Sequence, residues 1–319
     1  MSVIECRRHL ESYLEIRQAL GLRVDSQRRL LGEFLDYASQ RGSEGSIRAD
    51  WAVEWACAGP AQRGTSDQAK RLSVVRGYLN YLRAFLPETE VPGTGLLAAE
   101  RRPKPFLFSP QQVQQLLAEA ANLRPRGSLR GHARKVLLGL LASTGLRVGE
   151  ALRLDCDDVR LDVTPPHLVV RKTKFGKSRL VPLHATAVGP LRDYADHRRR
   201  VWTDEQNPGN FLVSEDGPLS RPTIMTWLRR AVRRLGIGPT DGGRRRPCLH
   251  SLRHGFAVAR VVAWQATGID VRSWMPHLST YLGHVSPAES YWYLTATPEL
   301  LSGAADAFAR YASQQGGEA

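Results

Sequence analysis

Apolar residues recur at spacings of three and four along most of this chain, and only between residues 157 and 184 does the period fall to two. That single switch confines the fold to a largely helical one with room for a few short strands. LESYLEIRQALGL and RRLLGEFLDYASQ read as helices, with Gly21 and Gly42 near their C-terminal ends. Asp50 is placed to cap a helix through WAVEWACAG, and Thr65 or Ser66 to start a longer one that Pro87 ends. These four helices, with no strand signal among them, predict a small bundle over residues 1–88.

Residues 89–105 break the period with prolines, glycines and a charge run, as a linker does. Ser109-Pro110 then reads as N-cap and first helical residue, and ARKVLLGLLAS as a buried helix. DDVRLDV, HLVVRKTK and SRLVPLH are the strand-like runs, with Lys174-Phe175-Gly176-Lys177 at the turn between the last two. Helical texture returns at ATAVGPLRDYADHRRR. From Thr223 to Leu235 it places Ile224, Trp227, Leu228, Ala231 and Leu235 on one face, with most arginines elsewhere.

With 319 residues, 42 % of them hydrophobic, the chain is long enough for two domains with a sizeable core. It has neither a run of about 18 apolar residues that would span a membrane nor a secretory h-region at its start. Four cysteines at 6, 57, 156 and 248 lack paired spacing, which argues against a disulfide frame or zinc site and fits a reducing cytoplasm. Charge is more informative. Lys plus Arg total 45 against 31 Asp plus Glu, for a net +14. Residues 1–100 hold 13 of each sign, so residues 101–319, with 32 basic and 18 acidic, carry the whole excess. Only six of the basic residues are lysines, and arginine's flat fork suits phosphate, so this balance fits a polyanion partner such as DNA and fits equally a GC-rich genome favouring arginine codons; composition does not separate the two.

Reactive residues sit at structural punctuation in four places. Arg147 follows a Thr-Gly turn in STGLRVGEALRL. Lys174 lies in the TKFGK hairpin tip, with Lys172 and Lys177 as neighbours. His250 and Arg253 stand three apart in LHSLRHGF, on one helical face. In YLGHVSPAESYWYL, His284 precedes Tyr293 by nine residues, with Tyr291 between. Singly, each has an ordinary structural explanation. The acidic run Asp155, Asp157 and Asp158 borders a strand, where local capping or pairing accounts for it better than a two-metal site.

In this order, behind a helical N-terminal region, the set resembles the tyrosine recombinases, the phage-integrase and Xer-like family, over residues 106–312. The resemblance implies a helical core-binding domain at 1–88, a linker at 89–105, and a mostly α catalytic domain at 106–319 with a small antiparallel sheet and a tail helix. It matches Arg147, Lys174, His250, Arg253 and His284 to the catalytic positions and Tyr293, rather than Tyr291, to the nucleophile. The type of chemistry accounts for those residues. Two guanidiniums clamp the non-bridging oxygens of a phosphodiester, His250 accepts the tyrosine proton, and Lys174 protonates the departing 5′ oxygen. Because a 3′-phosphotyrosine conserves the energy of the broken bond, neither cofactor nor metal is expected. Lys172, Lys177, Arg179, Arg244 and Arg245 are expected to touch DNA.

The partners implied are a double-stranded target site, a homotetramer at synapsis through a Holliday junction, and accessory proteins, with no membrane. The apolar stripe Leu300, Leu301, Ala304, Phe308 and Tyr311 is expected to dock on a neighbouring protomer. A type IB topoisomerase-like enzyme and a catalytically silent DNA-binding regulator are the alternatives. One departure stands out: the stretch between Arg253 and His284 is longer than in simple phage integrases.

Overall fold

The computed structural model describes residues 3–42, 47–58, 65–97, 105–171, 178–203, 207–239, 246–284 and 290. It divides into two compact units, residues 1–102 and 103–319.

The first unit is all helical among its described residues: α1 (Val3–Arg8), α2 (Leu10–Ala19), α3 (Asp25–Arg41), α4 (Ala49–Cys57) and α5 (Thr65–Leu82). The predicted first helix is α2, which begins at Leu10 as read; α1, on the other side of His9, is an additional short helix, and α4 begins at Ala49 rather than at a cap on Asp50. Asp50 lies inside the first turn, where it pairs with Arg48 and accepts from Trp51 N at 2.8 Å, so its carboxylate serves the positive helix end from within the helix rather than from the N-cap position. Leu14, Leu31, Phe34, Leu35, Tyr78 and Leu79 form the buried centre. Arg71 closes one side, stacked 3.7 Å from the Trp55 ring centroid and donating to Trp55 O. The even charge of residues 1–100 has a physical counterpart: Arg7–Asp36, Arg28–Glu11, Arg29–Glu33 and Arg41–Glu54 pair on the surface of this unit. Arg76 donates to Pro92 O and Gly93 O, and Thr89 is buried, so the chain read as linker leaves this unit as anchored backbone.

In the second unit, α6 (Pro110–Ala121) starts as expected. Ser109 accepts from Gln112 N, and the Gln112 side chain accepts from Ser109 N, which satisfies two donors of the first turn. The central helix α7 (Leu129–Thr144) is buried along most of its length. Then come α8 (Val148–Ala151), a 3₁₀ turn at Cys156–Asp158, and an antiparallel sheet of β1 (Val159–Arg160), β2 (His167–Val170) and β3 (Arg179–Pro182). Leu168 pairs Val181 across the sheet, and with Val170 these face the core, while Leu180 points outward as period two requires. Asp155 and Asp158 cap that turn reciprocally, and Asp158 pairs with Arg171, so the acidic run serves locally.

After α9 (Ala185–Val201) comes a hairpin the periodicity did not announce, β4 (Val213–Ser214) and β5 (Gly217–Pro218). Its two-residue turn is Glu215-Asp216, and Gly217, at φ 116°, opens β5 directly after it. Tyr194 of α9 holds it, donating toward Phe211 O and Val213 O and accepting from Val213 N. Glu215 at its tip accepts from Leu129 N and Arg130 N, capping α7. The amphipathic α10 (Arg221–Arg234) buries Ile224, Trp227, Leu228 and Ala231 as expected. The long stretch before His284 is helical: α11 (Leu249–Ala266) and α12 (Val271–Leu282). Among the described residues, no helix is long and apolar enough to cross a membrane.

Candidate active site

Two glycine-terminated helix ends build the site. α7 stops at Thr144, and Gly145 turns the chain in the left-handed region at φ 63°. A Cβ there would stand 2.6 Å from Phe256 Cδ1 and 2.9 Å from Leu282 Cδ2, so the turn presses directly on α11 and α12. Two residues later Arg147 is the N-cap of α8, its backbone N donating to Glu150 Oε2. The second end is that of α12, where Gly283 takes φ 68° and the His284 N–H bonds Ser279 O. A Cβ on Gly283 would lie 2.7 Å from Arg179 Nη1.

Carbonyls at a helix C-terminus lack intrahelical donors and carry partial negative charge. Three arginines supply what the α12 end lacks. Arg179 Nε donates to Tyr281 O at 2.9 Å, and Arg253 Nη2 to Leu282 O at 2.8 Å. Arg147 Nη2 reaches Gly283 O at 3.0 Å, with a longer 3.5 Å bond from Nη1 to Leu282 O. Arg253, 1 % exposed, also donates to Gly145 O at 2.7 Å and so ties the two helix ends together. Glu150, itself buried, bridges the other pair: it accepts from Arg147 Nη1 at 3.0 Å and from Arg179 Nη2 at 2.8 Å. Among the described residues, Arg147 thus keeps its Nε–H and one Nη2–H for a ligand.

The electrostatics follow from this crowding. Burial raises the Glu150 pKa, yet the bonds and charge of Arg179, aided by Arg147, more than offset it and leave the carboxyl below its usual range. His284 goes the other way for an imidazole. Burial first, then the charges of Arg253, Arg147, His250 and Arg179, push its pKa down to about 3, so the ring is neutral at physiological pH. Its Nδ1 lies 2.6 Å from the Oγ of buried Ser290. One carboxylate among three guanidiniums leaves a positive pocket whose complement is an anion.

Of the residues expected from the sequence, Arg147, Arg253 and His284 converge here. His250, in the first turn of α11, is exposed, with its charge felt at His284 and its ring edge-on to His254 at 4.4 Å. Arg179, expected to touch DNA, instead turns inward and spends its donors on Glu150 and Tyr281 O, making it a positioning residue. Lys172, Lys174, Lys177, Arg244, Arg245, Tyr291, Tyr293 and the tail stripe lie outside the described residues. Sequence reasoning missed Glu150, although a glutamate three residues after a helix-start residue is a capping signal. It also missed Ser290, for which no local signal exists. Among the described residues, no group of three His, Cys, Asp or Glu side chains is placed to share a metal ion.

Residues 107–299 match the phage integrase family. Over 301 residues the chain is 36 % identical to the putative integrase/recombinase y4rB of Sinorhizobium fredii, covering 92 % of this chain and 94 % of that one. It is 31 % identical over 247 residues to the tyrosine recombinase XerD of Mycobacterium tuberculosis, covering 76 % and 74 %. Among solved structures, the XerH site-specific recombinase bound to its palindromic difH substrate, a post-cleavage complex, superposes with a TM-score of 0.68. That alignment is at 19 % identity and covers 95 % of this chain and 87 % of the other.

Proposed function

Because this chain belongs to the phage integrase family, the tyrosine recombinases that cut and rejoin DNA strands, we propose that it does so at a specific site through a covalent 3′-phosphotyrosine on Tyr293. The Tyr293 hydroxyl oxygen attacks the scissile phosphorus, the bond from phosphorus to the 5′ oxygen breaks, and the phosphodiester energy is kept in the new bond. The tyrosine proton passes to His250, and Lys174 protonates the departing 5′ oxygen. Arg147 and Arg253 take the charge that accumulates on the non-bridging oxygens. A 5′ hydroxyl from the partner duplex reverses the step, giving a Holliday junction after the first exchange and recombinants after the second. Four nucleophiles are needed, which calls for a homotetramer, with the stripe from Leu300 to Tyr311 docking on the neighbour.

The observation that carries this reading is the convergence of Arg147, Arg253 and neutral His284 on the end of α12, nine residues before Tyr293. Donors placed before the substrate arrives are what a phosphoryl-transfer transition state needs from a protein.

The test is a nicked suicide duplex carrying a candidate site, run on a denaturing gel. Wild type and Tyr291→Phe should give a slow covalent band that Tyr293→Phe lacks. An adduct surviving in Tyr293→Phe would move the nucleophile to Tyr291. Binding without any adduct on a site that a relative cleaves would favour a silent DNA-binding regulator. Joined products from two duplexes separate recombination from topoisomerase-like relaxation.

A further inference from the structure

Ser290 is fully buried, and among the described residues its hydroxyl has one partner, the Nδ1 of His284, 2.6 Å away. In sequence it stands six residues after His284 and three before Tyr293. The reaction set out above gives this serine no part. Its contact, however, is with the one member of the set whose chemistry depends on where a single proton sits.

A neutral imidazole carries one ring proton and can hold it on either nitrogen, and the partner of one nitrogen decides what the other can do. His284 is neutral at physiological pH, because burial and then the charges of Arg253, Arg147, His250 and Arg179 disfavour its cation. With the proton on Nδ1, the Nε2 offers only a lone pair, which an anion repels. With the proton on Nε2, the ring becomes a donor to that anion. Ser290 separates the two forms. A buried hydroxyl needs an acceptor for its proton, and Nδ1 can accept only when the ring proton is on Nε2. The reverse arrangement, with Nδ1–H donating to the serine, leaves the hydroxyl proton without an acceptor among the described residues.

Resting on the recombinase reading above, we propose that Ser290 is a positioning residue: its hydroxyl donates to His284 Nδ1 and so fixes the ring proton on Nε2, which then donates to a non-bridging oxygen of the scissile phosphate. The serine never touches the substrate. It acts as the outer partner of a ligating histidine does, by holding one tautomer and one ring orientation.

The first test reads the tautomer in the full chain with its histidine rings labelled with nitrogen-15, the His284 signals being those lost in His284→Gln. Near pH 7 wild type should show a protonated Nε2 and a bare Nδ1. A proton on Nδ1 would overturn the proposal, and this measurement needs no variant at Ser290. In Ser290→Ala the two nitrogen shifts should converge as both tautomers become populated, and an unchanged spectrum would count against the serine as their cause.

The second test is single-turnover cleavage of the nicked duplex at saturating protein. Ser290→Ala should cleave about 10-fold more slowly than wild type while binding the duplex within about 2-fold of it. Ser290→Thr keeps the hydroxyl and should recover the rate to within about 3-fold of wild type. Because the serine works through the imidazole, adding Ser290→Ala to His284→Ala should slow cleavage by no more than about 2-fold further. A full additional loss in that double variant would show that Ser290 serves the fold alone and would overturn the assignment. Failure of the recombinase reading is recognised separately, by absence of any adduct from wild type, and the spectrum then still decides the tautomer.

Discussion

Arg147 and Arg253 donate to one carbonyl oxygen, that of Leu282, at 3.5 and 2.8 Å. Arg147 comes from the start of α8 and Arg253 from the interior of α11, while Leu282 is the last residue of α12. The shared acceptor sets the spacing of the two guanidiniums before any substrate arrives. Pre-organisation of this kind is what lets a site stabilise charge without rearranging at the moment of reaction. The length of the stretch between Arg253 and His284 acquires a purpose here, since it forms the helix whose end the arginines share.

The two arginines are therefore not equivalent. Arg253 spans Gly145 O and Leu282 O while almost wholly buried, so Arg253→Lys should lose one of the two carbonyls and cost about 2 kcal/mol or more of stability. Arg147 is about a third exposed, and Arg147→Lys should leave the thermal midpoint within a degree or two while abolishing cleavage. Thermal melts beside single-turnover cleavage test this. Equal losses of stability in the two variants would contradict the asymmetry.

Glu150 is predicted to be as important to the site as the arginines it holds. Its carboxylate is buried between Arg147 and Arg179, so Glu150→Ala strands two cations and should destabilise the unit by about 3 kcal/mol. Glu150→Gln keeps one acceptor oxygen and should fall between Glu150→Ala and wild type in urea unfolding. A Glu150→Ala variant as stable as wild type would show that the pairing contributes nothing net.

The glycines at the two helix ends separate strain from collision. Gly268 has φ 72° and open space beyond it, so Gly268→Ala should cost about 1 kcal/mol from the left-handed conformation alone. Gly145→Ala adds a Cβ against the Phe256 ring and should cost at least about 2 kcal/mol more, lowering activity because Arg147 follows two residues on. Gly283→Ala meets the flexible Arg179 head and should be intermediate. Chemical denaturation of the three variants ranks them.

What could be read from the sequence was whatever repeats locally. The Ser109-Pro110 start, the apolar face of α10 and the three short strands follow from periodicity and capping. Arg147, Arg253 and His284, which the structure brings together, were legible as candidates because each sits in a short motif beside a turn. Arg179 was misplaced for the opposite reason: an arginine opening a strand carries no local mark of direction, and it turns inward only because Glu150 and Tyr281 O await it from distant segments. The β4–β5 hairpin escaped because its second strand is Gly217–Pro218, two residue types that carry no strand signal, and because its anchor, Tyr194, comes from α9.

The depressed pKa of His284 gives a last, signed prediction. Between pH about 3 and the usual imidazole value of 6.5, the unfolded chain holds a proton on this residue that the folded chain excludes. The unfolded state thus binds more protons in that window, and stability must rise with pH across it, by at most about 1.4 kcal/mol per pH unit from this group. Above pH 6.5 both states are neutral here and the contribution is flat. Glu150, with its lowered pKa, adds to the loss at the acid end, so the comparison must be with a variant that keeps it. His284→Gln retains a polar group opposite Ser290 and should flatten the stability profile between pH 4 and 6.5, leaving the region above unchanged. Burial first and then the guanidinium charges hold the ring neutral; a phosphate drawn into the pocket offsets the charges, so duplex binding should take up protons at pH 5 in wild type and fewer in His284→Gln. Calorimetry in buffers of different ionisation heat reads that uptake, and equal uptake by the two proteins would place the titrating group elsewhere.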